Sequence, residues 1–522
     1  MMKNFKNFKY MVIAPAMALL LSGCVNEDNL VQNDPNTATE TSFWKTDADA
    51  LAGVNAVYAN LLVDGSYMRC TQILLDGPAD DSRSNSPWVS MANCGRFNTS
   101  IADPAIYGWS FECYYKGIFR ANQVLTHVPE IEFEDAALKD RILGQAYFLR
   151  GLYLFHAVNL FKNVPVPLTT ETFQYPQKTQ EEAWAQVKAD FQMAADLLPV
   201  SYNGLSGLDS GQTGRATKYA AMAYLGKAHL FTRDFASART AFESVISSGV
   251  YSLVANYRDN FTTVNENNSE SLFEVQFSRE AGGVNLGWGG EPSSGWGKTS
   301  ARAITYAPRD FGWTDMQPTW TLFNEFQQEA TVNGDVDPRL DATIIYNKPG
   351  MMLYGQEFAV KYANSPANLN DLFWRKYQNA DGQFADEYDW RSGINERLLR
   401  YADVLLMYAE CLNETGATTD AYQYIQQVRT RVNLPDLATV MPNMNQSQMR
   451  DQIAHERFLE FAAEGHRYDD IKRWGWFQDA TKLAMLKTRD EEFNTYQPGR
   501  EYYPIPQSEM DNNPTSVQNT GY

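Results

Sequence analysis

The stretch from Arg215 to Tyr251 constrains the fold more than any other part of the chain. Arg215 to Leu230 is rich in Ala and Leu, a short polar break follows, and Ala236 to Ser248 returns to the same composition. Both halves favour helix. Asp234 is placed to cap the second half and Gly249 to end it. Leu225, Gly226, His229, Ala238 and Phe242 fall at the spacing of a helix-pair repeat. The small residues let two helices approach, and the large ones fill the groove between them. One such pair cannot bury its apolar face alone, so the pattern predicts stacked neighbours of the same kind.

At 522 residues and 44% hydrophobic composition, the chain can bury a large core in one big domain or two fused lobes. A formal net charge of −19 argues against nucleic acid or an anionic lipid surface as partner. Residues 1–23 read as a signal peptide. Lys3, Lys6 and Lys9 form a basic start, and Met11 to Leu21 is an apolar run too short to span a bilayer. The run ends in Leu21-Ser22-Gly23-Cys24, which resembles a bacterial lipobox, with Cys24 acylated as the first mature residue. The alternative is an ordinary secretory signal with a chance Cys. Multiple acyl chains anchor stably, at about 0.8 kcal/mol per buried CH₂. Residues 24–41 are polar and read as a tether, and no later run is long and apolar enough to cross a membrane. Among the remaining cysteines, a Cys70–Cys94 bridge fits the irregular stretch between them. With Cys113 and Cys411, three full pairings are open. Cys411 reads as a buried thiol, and none has metal-site spacing.

Helices are predicted at Ala50–Leu62, Tyr107–Val128, Arg141–Phe161 (apolar nearly all round, hence buried) and Glu181–Leu198. After the opening pair they return at Leu398. There Tyr408, Ala409, Leu412, Ala421, Ile425 and Val428 repeat its spacing, with a turn at Thr415-Gly416. Gln448–Glu464 follows, with Ser447 as cap. Phe273–Phe277 alternates like a short strand. Asp76–Thr99 lacks a period and reads as a loop. Residues 282–390 form an irregular lobe rich in Gly, Ser, Asn, Pro and aromatics, with small strands at Thr343–Tyr346 and Phe358–Tyr362. The C-terminal tail reads as extended.

Chemistry-bearing motifs are scarce. His455-Glu456 lacks the second His that a zinc site needs, because position 459 is Leu459. Glu456, Glu460 and Glu464 read as a helix face partnered by Arg457, Arg467 and Arg473. Asp80-Asp81 reads as solvated loop acids or calcium-like ligands, and Asp335-Val336-Asp337 lacks the rest of an EF-hand pattern. No catalytic residue, metal site or cofactor is expected. The aromatics, 13% of the chain, carry more information. Trp109, Trp184, Trp320 and Trp474 sit in or beside helical patterns and are assigned to the core. Trp88, Trp288, Trp296 and Trp313 sit among Gly, Ser and Pro. A sugar's C–H face can stack on such a ring while its hydroxyls bond to polar neighbours. Arg83 and Asn85 beside Trp88, and Tyr306 near Trp313, fit that chemistry. The alternative is that these rings plug a small core within the lobe.

Three further blocks carry a resemblance: Arg397 to Glu410, Ile453 to Gly475, and Tyr503-Pro504-Ile505-Pro506 with Asn513-Pro514 and Gln518 to Tyr522. With the opening pair and Ala146 to Pro165, they resemble the SusD/RagB nutrient-binding outer-membrane lipoproteins over essentially the whole mature chain. The resemblance implies a mostly α fold, a tetratricopeptide-like helical body with a loop-rich lobe and a few short strands. It places a SusD-like helical region at 42–270 and a RagB/SusD region at 271–522. It also implies a non-enzymatic, lipid-anchored, outward-facing protein that passes oligosaccharide to a SusC-like TonB-dependent transporter. A tetratricopeptide-type scaffold lipoprotein and a surface glycosidase are the competing classes.

Overall fold

The computed structural model describes residues 43–171, 174–279, 298–380, 382 and 391–522. The leader, Cys24, Trp288 and Trp296 lie outside them. Helices of seven residues or more run α1 Asp47–Ala59, α2 Cys70–Asp76, α3 Val89–Gly95, α4 Tyr107–His127, α5 Ala136–Phe161, α6 Gln180–Leu197, α7 Lys218–Phe231 and α8 Phe235–Ser247. After residue 390 come α9 Tyr401–Glu414, α10 Thr418–Arg431, α11 Gln446–Glu460, α12 Arg467–Arg473 and α13 Ala480–Arg489. Strands of three residues or more are β1 Ser82–Ser84, β2 Ser271–Val275, β3 Met316–Pro318 and β4 Glu396–Arg400. The protein is mostly α, as expected.

From α4 to α10 each long helix packs on the next, α8 on α9 included, and α11 packs on α9. Gly226 shows how the opening pair closes. A Cβ there would lie 2.7 Å from the ring of Phe242, so only Gly lets α7 and α8 meet. Asp234 caps α8 by accepting from Ser237 N, and Gly249 turns the chain away at φ +65°. Residues 46–522 form one compact unit.

Several local expectations are corrected. Cys70, Cys94, Cys113 and Cys411 are all buried free thiols, so the Cys70–Cys94 bridge is absent. Cys94 sits on α3 with its thiol directed to the Ser90 carbonyl one turn back, 3.3 Å away. The supposed loop 76–99 holds β1 and α3. Phe358–Lys361 is a helical turn, not a strand, and Gln507–Asn512 is a short helix in the tail. α9 begins at Tyr401 because Glu396–Arg400 is spent pairing antiparallel with β2. The cap of α11 is Asn445, in a capping box with Gln448, rather than Ser447. Of the four Trp assigned to the core, only Trp184 is fully packed. Trp320 is 47% exposed, and Trp109 and Trp474 are half-buried.

The acidic residues of the C-terminal blocks are buried, and their partners come from distant segments. Arg400 reaches both oxygens of Glu464 (2.7 and 2.8 Å), Glu460 (3.0 Å) and Glu270. Arg431 pairs with Glu460 and Glu270, and Lys376 with Glu464. Glu456 pairs with Arg429 and Arg339. The expected partners go elsewhere: Arg457 to Asp403 and Asp470, Arg467 to Asp80, and Arg473 to Glu410 and Asp470. Asp80 and Asp81 are therefore core residues, not solvated loop acids. Burial, with Asp76 and Asp80 adding to it, pushes the Asp81 carboxyl up to about 8. Against the upward push of burial, Arg431, Arg400 and Arg339 hold Glu460 down at about 2. His455 Nδ1 lies 3.0 Å from Glu325. Glu329 and Glu456 approach His455 closely enough to share an ion, but the Arg429 guanidinium already bridges both carboxylates.

Candidate functional site

The loop after α2 and the segment before residue 320 are joined by a short ladder. β1 pairs antiparallel with β3, Arg83 opposite Gln317, and Asn85 N continues the ladder by donating to the Asp315 carbonyl at 2.7 Å. Arg83 and Asn85 are thereby fixed beside Thr314 to Gln317, and both are exposed. Asn85 Nδ2 lies 3.5 Å from the Thr314 carbonyl. Arg83 reaches Gln317 Oε1 at 3.4 Å and Asp371 at 3.5 Å, and Arg309 meets the other Asp371 oxygen at 3.6 Å. These are long, half-exposed contacts that hold the guanidiniums loosely.

Trp88 stands at the start of α3, half-buried. Its ring lies 5.6 Å from that of Trp109, at 48°, and the Arg69 guanidinium lies 5.5 Å from its centroid. Arg69 is buried and held bidentate by Asp64 at 2.8 and 2.7 Å. Ser86 accepts from Trp88 N at 3.1 Å. Burial raises the neighbouring Asp315 carboxyl, tempered by a Ser86 hydrogen bond and by Arg69. The cluster is thus continuous from Arg69 through Trp88 and Ser86 to Asp315 and Asn85.

Trp313 is 37% exposed and immediately precedes Thr314. Thr314 is β-branched yet sits at φ +56°, held by its hydroxyl donating to the Ala307 carbonyl and by Asp315 N donating to Thr305 O. Ile106, one residue before the helix that carries Trp109, sits at φ +72°. Each such backbone costs on the order of 1–3 kcal/mol and persists where its surroundings impose it, commonly at ligand-binding positions.

Of the residues singled out in the sequence, Arg83, Asn85, Trp88 and Trp313 fall in this region. Tyr306 does not present its ring. It is 2% exposed, packs among Met316, Leu340 and Trp374, and donates its hydroxyl to Asp76 at 2.9 Å. It lies on a helical turn, Arg302–Tyr306, that faces inward. Trp288 and Trp296 lie outside the described residues. Arg69, Trp109, Arg309, Asp315 and Asp371 join the site without having been anticipated. Trp109 has a helical position typical of a core residue, and only the fold places it against Trp88.

The fold and this region together define a helical-repeat protein carrying an aromatic, amide- and guanidinium-lined loop face. Residues 269–522 match the model of the SusD family, and residues 35–230 match one described as starch-binding associating with outer membrane. The chain belongs to the SusD family. SusD-like protein P25 of Formosa agariphila is 26% identical, over 96% of this chain and 98% of its own. A SusD superfamily protein from Bacteroides vulgatus has a TM-score of 0.79 at 28% identity, covering 92% of this chain and all of that one. A laminarin-binding SusD-like protein has a TM-score of 0.72 at 27% identity with the same coverage.

Proposed function

We propose that this chain is a surface lipoprotein that binds a glycan and passes it to a SusC-like TonB-dependent transporter. The observation that carries the reading is the exposed Trp313 adjoining Thr314, whose carbonyl lies 3.5 Å from the exposed Asn85 side chain, on the same β1–β3 ladder that presents Arg83. Flat rings bind the apolar faces of sugar rings at little entropic cost, and the amide and guanidinium groups bond to hydroxyls. Similarity to a laminarin-binding protein supports an oligosaccharide as ligand, and the description of the N-terminal family model supports an outer-membrane site. Of the two carboxylates described at this face, Asp371 is engaged by Arg83 and Arg309 and Asp315 is bonded to Ser86, an arrangement that fits binding without turnover. Cys24 supplies the lipid anchor in this reading, and the transporter contact buries on the order of 2,000 Å² or more.

Glycan-array screening of the purified protein tests the binding role. Retention of one glycan class with no release of reducing ends is expected; release of reducing ends would make the protein a glycosidase. Gentle detergent extraction is expected to recover a large barrel protein in near-equal amount, and recovery of this chain alone overturns the partnership. Cys24→Ala is expected to leave the precursor unacylated and free of membranes.

A further inference from the structure

A second groove lies away from the aromatic loop face and shares no residue with it. It has a volume of about 880 Å³ and runs between α10 and the segment that follows α8. That size is within the range of small-ligand sites, roughly 300–1,000 Å³. One wall is α10, where Thr419, Gln423, Gln426, Gln427 and Thr430 line the groove. The other carries Tyr251 and Tyr401, whose rings stack 6.5 Å apart at 25°.

Three properties separate this groove from an incidental crevice. Tyr401 is only 8% exposed, yet it lines the groove and its hydroxyl makes no hydrogen bond among the described residues. The hydroxyl itself is open to the groove, where it can donate to or accept from an incoming hydroxyl. The Gln423 side-chain amide is also exposed and unbonded among the described residues. Finally, no Lys or Arg lines the groove, and its acids are Asp420 and Asp436, the latter accepting from Thr439 N. An anion is therefore disfavoured, whereas a neutral polyol finds two rings, several amides and a spare phenol.

We infer that the Tyr251–Tyr401–Gln423 groove is a second binding site, for a neutral oligosaccharide segment. The inference rests on the glycan-binding reading above.

The test is titration calorimetry of the mature chain with a panel of neutral hexasaccharides: laminarihexaose, maltohexaose, mannohexaose and xylohexaose. Trp88→Ala/Trp313→Ala is expected to retain binding of at least one of them. Adding Gln423→Ala, an exposed change that leaves the fold intact, is expected to weaken that residual binding at least tenfold, as is adding Tyr251→Ala. Wild-type binding with none left in the Trp double variant overturns the second site and leaves the first. Residual binding indifferent to both groove changes also overturns it. Binding unaffected by the Trp changes but lost with Gln423→Ala supports the groove and overturns the loop face as a site. Failure of the wild type to bind any member overturns both.

Discussion

Arg400→Met removes the cation at the centre of the deepest ion cluster. Arg400 is 1% exposed and bonds to Glu464, Glu460 and Glu270, all with side chains sealed from solvent. Arg431 and Lys376 remain, and Arg339 is shared with Asp337 and Glu456. Three carboxylates are then left short of charge and of hydrogen-bond donors. Breaking a buried pair by removing one partner costs about 3–5 kcal/mol. Unfolding entropy near 2.1 cal/mol/K per residue, over roughly 480 folded residues, converts each kcal/mol to about 1 °C, so Tm falls by about 3–5 °C at pH 7. The pH dependence separates charge loss from lost packing. Glu460 is held at about 2, below its unfolded value near 4.3, so its contribution is present above the unfolded pKa and fades as pH falls toward 2. The gap between wild type and variant is therefore widest at pH 7 and narrows below about pH 4. Scanning calorimetry at pH 7 and pH 3.5 measures it. A gap that stays constant or widens in acid refutes the electrostatic account, and an unchanged Tm at pH 7 refutes the cluster's importance.

Trp184→Ala empties a site packed by Phe155 and Phe231, with rings 5.1 and 5.8 Å away, and is expected to cost about 3–5 kcal/mol in denaturant unfolding while leaving glycan affinity unchanged. Asp81→Asn mimics the protonated acid. Because the folded pKa of about 8 exceeds the unfolded one near 3.9, wild type loses stability as pH rises between them, by at most about 1.4 kcal/mol per pH unit. The variant is expected to melt higher than wild type at pH 8 and alike at pH 4, and an equal difference at both pH values contradicts the burial account.

The helical stack is legible in the sequence because helix pairs announce themselves locally. Gly226 and Phe242 meet across α7 and α8 as their spacing predicts, and Asp234 caps where it should. β4 escapes notice because all five of its residues are buried, leaving no alternation to mark a strand. The acids escape for a related reason. Neighbour spacing assigns Glu456, Glu460 and Glu464 to nearby Arg residues, whereas burial draws in Arg339, Arg400 and Arg429 from other segments. Trp88, Arg83, Asn85 and Trp313 could be singled out because loop aromatics beside polar groups are unusual. Tyr306 has the same kind of sequence neighbours, but its helical turn points inward. Arg69, Asp315 and Trp109 carry no local signal at all, since only the β1–β3 ladder and the start of α3 bring them to Trp88.

The central claim is that the Trp88–Trp313 face binds glycan, and Trp313→Ala tests it most directly. Titration calorimetry uses the glycan that the wild type retains best on the array. The account predicts a loss of about 2 kcal/mol or more, a weakening of roughly 30-fold. Because the ring is 37% exposed and lies on a loop, Tm is predicted to stay nearly unchanged. Undiminished affinity in the variant, or early melting that accounts for the loss, contradicts the claim.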